Sequence, residues 1–175
     1  MQKTITRSNF QEVLEEIKCL QETKFDFSRT DFQSLDRDHI KEIFITFGQL
    51  PYSVTLILNH CIFHESSQHW EEFILRIQSI QTIRSFEFNS VLSNNALIEL
   101  ANSLKENHSI EIIMIDGPRV APEEVRKSLT DHPAICILNG IPLTEKAFFD
   151  RPSAQQQDPN WQEKSTLFFR KAAKR

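Results

Sequence analysis

Glycine is scarce in this chain of 175 residues. The three glycines are Gly48, Gly117 and Gly140, and no two of them lie within twenty residues of each other. Phosphate-binding loops need clustered glycines, because a residue without a side chain lets the backbone approach the ligand closely. The sequence therefore lacks both a P-loop and a dinucleotide-binding fingerprint.

Cysteine is also sparse, and no apolar run is long enough to span a bilayer. Cys19, Cys61 and Cys136 are odd in number and widely spaced, which favours reduced thiols in the cytosol over a disulfide framework. The first residues carry no apolar run of signal-peptide length. We therefore expect a cytoplasmic location, with secretion into a host-cell cytosol, without a cleaved signal peptide, as the alternative.

A positive field is missing too, because 20 Lys and Arg residues face 24 Asp and Glu residues, for a formal net charge of −4. Nucleic acid is therefore not an expected partner. The chain is 39% hydrophobic and contains 14 Phe. This apolar content can build the core of a single domain.

What is present is an internal repeat. Three stretches of 19 residues, 40–58, 70–88 and 97–115, align without a gap. Apolar residues share columns at spacings of three and four in the first part, which predicts a helix, and at spacing two in the last part, which predicts a strand. Weaker copies cover 10–27 and 122–138. The strand columns are Phe25/Leu56/Phe86/Ile113 and Phe27/Leu58/Phe88/Ile115.

The strand register of the last copy stays open. Either Cys136 and Leu138 or Ile135 and Ile137 could point inward, and a slip of one residue turns every side chain over.

One helix and one short strand cannot bury their own apolar face, so the copies must stack. Neighbouring strands then pair in parallel through right-handed helical crossovers. Strands lie about 4.8 Å apart whereas helices need roughly 10 Å, so the row must curve. We predict an α/β fold over residues 1–143, a short horseshoe of about five units with a concave parallel sheet and convex helices. Helix 8–22 is its N-terminal cap or first unit, and 144–175 form a linker and a C-terminal capping helix or tail.

The columns resemble the leucine-rich repeat of the ribonuclease-inhibitor type, most closely in ALIELANSLKENHSIEIIMIDG, Ala96 to Gly117. The resemblance covers about residues 8 to 143. That family usually has Asn or Cys three residues past the second strand column, and only Cys61 fits, so the turn hydrogen bonds must be weak or replaced. The residues in this column are Thr30, Cys61, Val91, Pro118 and, in one register of the last copy, Ile141. Short repeats rich in Phe, Ile and Asn are also similar to leucine-rich effectors injected by intracellular Gram-negative bacteria.

With the strand columns in the core, the alternate positions must face the concave side. These positions mix aliphatic residues with acids and amides, which suits protein recognition; a merely solvated sheet face is the alternative. The predicted protein-binding residues are Asp26, Ile57, Asn59, Glu87, Asn89, Ile112, Met114, Asp116, Ile137 and Asn139. Such a face measures roughly 400 Å², below the roughly 800 Å² per partner of a standard interface. The partner should therefore also touch a loop edge, such as 60–68 or 89–95, or one end of the stack.

We expect a non-enzymatic protein-binding module that inhibits or regulates a partner enzyme, the partner being that enzyme or a second effector. An adaptor that receives substrates for a ubiquitin-ligase system is the alternative. A third hypothesis is a small thiol enzyme that uses Cys61 with His60 or His64. No catalytic set and no cofactor are expected.

Two further segments carry suggestive residue types. HCIFHESSQH, residues 60–69, holds one Cys and three His, which zinc accepts as ligands, but Cys61 occupies a packing column and no second ligand pair follows. No metal is therefore expected. WQEKSTLFFRKAAKR, residues 161–175, mixes aromatic and basic residues. A capping helix, an unfolded export signal and a segment that contacts a membrane surface remain open for it.

Overall fold

The computed structural model describes residues 1–65, 67–117 and 122–143. Helices and strands alternate along these residues. The helices are α1 Phe10–Cys19, α2 Arg37–Gly48, α3 Gln68–Ser79, α4 Asn94–Glu106 and α5 Glu123–Thr130. The strands are β1 Lys24–Asp26, β2 Val54–Asn59, β3 Ile83–Asn89, β4 Ile112–Asp116, β5 Ile135–Leu138 and β6 Ile141–Pro142.

All six strands form one sheet in chain order. Strands β1 to β5 pair in parallel, and β6 pairs antiparallel with β5. Along the row, each of the five helices packs against the next. The predicted α/β class and the parallel pairing are thereby confirmed.

The core lies between the helices and the predicted strand columns. The register aligns Phe25 with Leu56, Leu56 with Phe86, and Phe86 with Ile113, as the repeat predicts. These side chains are buried and pack against the apolar sides of the helices. In the last copy, β5 pairs Cys136 with Ile113 and Leu138 with Ile115, and both are buried. Cys136 and Leu138 therefore point inward.

Helix α1 is shorter than the predicted helix 8–22. Asn9 precedes it without capping it, because its side chain accepts the N–H of Thr6 at 2.8 Å and donates to the carbonyl of Thr4 at 3.0 Å. At the other end, Leu20 is already extended. The predicted ends of this helix were wrong by two or three residues.

A hairpin ends the described part of the sheet. Asn139 has φ 50° and Gly140 has φ 75°, and these two residues connect β5 to β6, with Leu138 opposite Ile141. Positive φ at both central residues is the requirement of a type I′ turn, which Asn-Gly satisfies. Ile141 is 57% exposed and lies on β6 rather than in a turn column. The placement of Ile141 in that column was wrong.

In the turns that follow β1, β2 and β3, one side chain of each turn forms hydrogen bonds with the backbone of a neighbouring segment. Thr30 Oγ1 accepts the N–H of Ile5 at 3.0 Å, and Cys61 Sγ lies 3.4 Å from the carbonyl of Phe27. In the third unit, Ser90 Oγ accepts the N–H of Cys61 at 2.9 Å and donates to the carbonyl of Leu58 at 3.2 Å. The predicted turn residue there, Val91, is 97% exposed, so the hydrogen bonding is replaced one position earlier.

Within the described ranges, no helix is long and apolar enough to cross a membrane. Pro118 and residues 144–175 lie outside those ranges. The linker and the capping helix or tail predicted for 144–175 therefore stay predictions.

Candidate binding face

The side of the sheet opposite the packed strand columns carries the predicted binding residues, and we call it the open face. The register aligns Asp26, Ile57, Glu87, Met114 and Ile137 in one row across β1 to β5. A second row aligns Asn59, Asn89 and Asp116, with Asn139 in the turn that follows β5. The structure thus brings the predicted site residues together, with Ile112 one step earlier in β4.

Two aliphatic members of the first row are buried, contrary to the prediction that they are exposed. Ile57 is 4% exposed and Ile137 is 8% exposed, yet neither belongs to the main hydrophobic core. Asp26 and Glu87 lie on either side of Ile57, and Thr55 and Asn59 precede and follow it on the same face. Because cross-strand neighbours are about 5 Å apart, they close over an aliphatic side chain between them.

Aliphatic surface on the open face is instead provided by neighbours. Ile112, Met114 and Ile135 are half-buried and lie on β4 and β5. Ser85 on β3 pairs with Ile112 and is half-buried too. Ser85 and Ile135 are not among the predicted site residues, although Ser85 shares a column with Thr55 and Ile112.

A short hydrogen-bond network holds the acidic side chains of the open face. Asp26 Oδ1 accepts from the N–H of Ser28 at 3.0 Å and from its Oγ at 2.5 Å. The Ser28 hydroxyl also accepts the backbone N–H of Asn59 at 3.2 Å. Asn59 Nδ2 donates to Glu87 Oε1 at 3.0 Å. One oxygen of each carboxylate is therefore fixed by the neighbouring residues of the same face.

The other half of the Asn59 amide has no partner. Among the described residues, Asn59 Oδ1 is the buried side-chain N or O atom that forms no hydrogen bond. An ionised carboxylate only accepts, so the bond to Glu87 requires Nδ2 on that side and leaves Oδ1 on the other. A buried acceptor without a donor costs about 1–3 kcal/mol. The described residues therefore leave an unsatisfied acceptor within the candidate site.

A cavity of about 610 Å³ lies at the loop edge predicted to extend the interface, and we call it the edge cavity. Phe63 and Trp70 line its floor, and Glu65, Glu71 and Glu99 also line it. Glu65 accepts the N–H of Ser93 at 2.6 Å. Glu99 accepts Nε1–H of Trp70 at 2.6 Å. The edge between α3 and α4 is therefore acidic as well.

Cys61 is the candidate nucleophile of residues 60–69, and its side chain is buried. Burial raises the pKa of Cys61 to about 12, so its thiol is protonated at neutral pH, whereas a nucleophile needs the thiolate. In the described ranges, no group of three His, Cys, Asp or Glu residues is placed to hold a metal ion. Cys61 thus behaves as a packed residue of its turn.

Comparison of the chain with models of known protein families and with curated proteins finds no match.

Proposed function

We propose that the protein is a protein–protein interaction module, a short solenoid of the leucine-rich repeat type whose open face binds and inhibits a partner enzyme. The order of elements supports the solenoid, because each of β1 to β5 pairs in parallel with the next and successive helices pack together. Stacking of repeated units on their neighbours defines such folds. From the resemblance to bacterial effectors, we place its action in a host-cell cytosol.

The observation that carries the proposal is the composition of the open face. Asp26 and Glu87 form no ion pair with another described residue. They lie in one row with the half-buried Met114. Protein interfaces combine an apolar centre with polar groups that give specificity. A face of this composition that the described residues leave uncovered is typical of a surface that a second protein completes.

The size of the open face calls for a second contact. Its roughly 400 Å² is about half of what each partner contributes to a standard interface. The edge cavity adds the aromatic ring of Phe63, in the loop after β2, and the carboxylate of Glu71, in the first turn of α3. A partner that covers both regions would reach the standard size.

An inhibitor and a ubiquitin-ligase adaptor would bind their partner through the same surface, but they would affect the activity of that partner differently. A module that covers an active cleft excludes the substrate of the partner. An adaptor for a ubiquitin ligase leaves that activity intact and recruits a ligase instead. The activity of the bound partner therefore separates the two functions.

The test starts with affinity purification of partners and continues with a surface variant. The variant combines Asp26→Lys, Glu87→Lys, Asp116→Lys and Met114→Arg. Ile57 is left unchanged, because a charge at this buried position would disturb folding. We expect the variant to lose capture of the purified partner by at least about tenfold, with its far-ultraviolet dichroism retained.

A matched control carries the same chemical changes on the helical side. It combines Glu42→Lys, Glu106→Lys, Glu124→Lys and Ile45→Arg, all at exposed positions. We expect this control to bind the partner as the native chain does. Equal loss in both variants, or retained capture by the open-face variant, would contradict the proposed surface.

A further inference from the structure

The carboxylates of Asp26 and Glu87 lie on either side of Ile57 in one row of the open face. Two strand spacings separate their Cα atoms by roughly 10 Å. Each carboxylate is held through one oxygen, by Ser28 or by Asn59, and its second oxygen has no hydrogen-bond partner among the described residues. Both carboxylates are therefore held in a fixed orientation. Each keeps a second oxygen that can accept a hydrogen bond from a ligand.

Among the described residues, no Lys, Arg or His side chain forms an ion pair with Asp26 or Glu87. Lys24 lies two residues before Asp26 on the same face, but it forms no ion pair with it. The described residues contain no group of three or more His, Cys, Asp or Glu side chains that is placed to hold a metal ion. The unbalanced negative charge therefore favours an organic cation as the complement.

We propose that the Asp26–Glu87 pair receives an arginine side chain of the partner protein, whose guanidinium lies over Ile57 and donates to both carboxylates. This inference rests on the proposed function and specifies the chemistry of its partner. A guanidinium is planar and carries five N–H donors, which suits two separated carboxylates better than the compact ammonium of lysine.

Asn59 gives a second reason for a ligand that brings several donors. Its Oδ1 is buried without a donor, while its Nδ2 occupies Glu87 Oε1. A guanidinium that binds the second oxygen of Glu87 leaves this bond in place, and a rotation of the Asn59 side chain would let a further N–H of the guanidinium reach Oδ1. Arginine binding would thus satisfy an acceptor that the described residues leave unsatisfied.

The aliphatic residues next to Asp26 and Glu87 indicate a second property of the partner surface. Met114 follows Glu87 in the row, and Ile112 and Ile135 lie beside it, all half-buried. The surface that carries the arginine should therefore also present aliphatic side chains, displaced by about two strand spacings, roughly 10 Å.

The test uses N-acetyl-arginine amide as the probe and N-acetyl-citrulline amide, its neutral isostere, as the control ligand. Both are titrated into the full chain at matched ionic strength, and nitrogen-15 NMR follows the backbone and the Asn59 side-chain amide. We expect saturable shifts at Asp26, Asn59 and Glu87 with the arginine probe. We expect no saturation with citrulline.

Isosteric variants test the two carboxylates without removing their internal hydrogen bonds. Asp26→Asn keeps an acceptor for Ser28, and Glu87→Gln keeps one for Asn59. Each should weaken binding of the arginine probe about tenfold, as expected for the loss of a charge-assisted hydrogen bond. Glu124→Gln on α5 should leave binding unchanged.

Several outcomes would overturn the inference. These are equal binding of citrulline, equal binding of N-acetyl-lysine amide, unchanged binding by both isosteric variants, or shifts confined to the edge cavity. The proposed function is measured separately by partner capture. If the open-face variant loses capture while Asp26→Asn with Glu87→Gln retains it, the function stands and the arginine site is wrong.

Discussion

His132 Nε2 lies 3.2 Å from the carbonyl oxygen of Asn107, and its Nδ1 accepts the N–H of Ala134 at 2.9 Å. The imidazole is therefore neutral, with its proton on Nε2. It connects the loop before β5 to the loop before β4, and Asn107 continues this connection by donating from Nδ2 to the carbonyls of Ile77 at 2.6 Å and Ile80 at 2.8 Å. Buried polar side chains thus join consecutive units in the loops that lead from each helix to the next strand.

This geometry makes the last unit sensitive to acid. Burial lowers the pKa of His132 below its ordinary value of 6.5, and the neighbouring His108 lowers it further. A depressed folded-state pKa gives stability that is present above 6.5 and is lost as the pH falls through the folded value. We expect the melting temperature to decrease over that range. His132→Gln should flatten this part of the profile, whereas His64→Gln, at an exposed position, should preserve it. A native profile that stays flat would contradict the assignment.

Glu72 joins α2 to α3 from a buried position, and its ion pairs determine the second prediction. Burial alone would raise the pKa of Glu72, but hydrogen bonds from Arg76 at 2.7 Å and Arg37 at 2.9 Å lower it below the ordinary 4.5. Arg76→Ala would leave this carboxylate, 2% exposed, with one partner fewer. We expect the free energy of unfolding to fall by about 2 kcal/mol, measured in urea.

A surface pair provides the control for that measurement. Lys18 and Glu15 form an exposed ion pair at 2.8 Å, so Lys18→Ala should leave the unfolding midpoint unchanged. The pH dependence gives a second check. The contribution of Glu72 is present above pH 4.5 and is lost as the pH falls through its lowered pKa. Equal effects of Arg76→Ala and Lys18→Ala would show that burial does not strengthen the Glu72 pairs.

Ser90 and Val91 are adjacent residues with opposite roles, which gives the third prediction. Ser90→Ala removes the acceptor of the Cys61 N–H and the donor to Leu58 in a buried turn. We expect it to lower the free energy of unfolding by about 2 kcal/mol, because a backbone donor is left without a partner. Val91→Ala, at a position 97% exposed, should have no effect on the same chemical denaturation curve. If Val91→Ala lowered the free energy of unfolding more than Ser90→Ala, position 91 would be the one that holds the turn, as the repeat predicts.

The strand columns could be predicted from the sequence because packing requires them. Phe25, Leu56 and Phe86 must share one side of the sheet if the repeat is to bury its apolar residues, and their register is the observed one. The burial of Ile57 could not be predicted in this way. It depends on how closely Asp26 and Glu87 approach from the neighbouring strands, which a single strand pattern does not encode.

The final hairpin was predictable from a local signal that the repeat obscured. Asn139-Gly140 between apolar residues is a strong indication of a two-residue type I′ turn. The repeat columns place Ile141 at a turn position, whereas it lies on β6. Ser90 was missed for a related reason, since the side chain that binds the turn lies one residue before the column. Periodicity places the repeated elements, whereas turns follow the chemistry of individual residues.

The three cysteines give the last prediction through their different exposure. Cys19 is exposed, whereas Cys61 and Cys136 are buried. Burial raises the pKa of both buried thiols to about 12, which removes the thiolate that alkylation requires. Under native conditions at mildly alkaline pH, iodoacetamide should therefore add one group, on Cys19. Peptide mass spectrometry locates the adduct, and denaturant should allow all three to react. A fast native adduct on Cys61 would contradict this and would favour the thiol-enzyme hypothesis, because only an activated, accessible nucleophile reacts faster than the exposed Cys19.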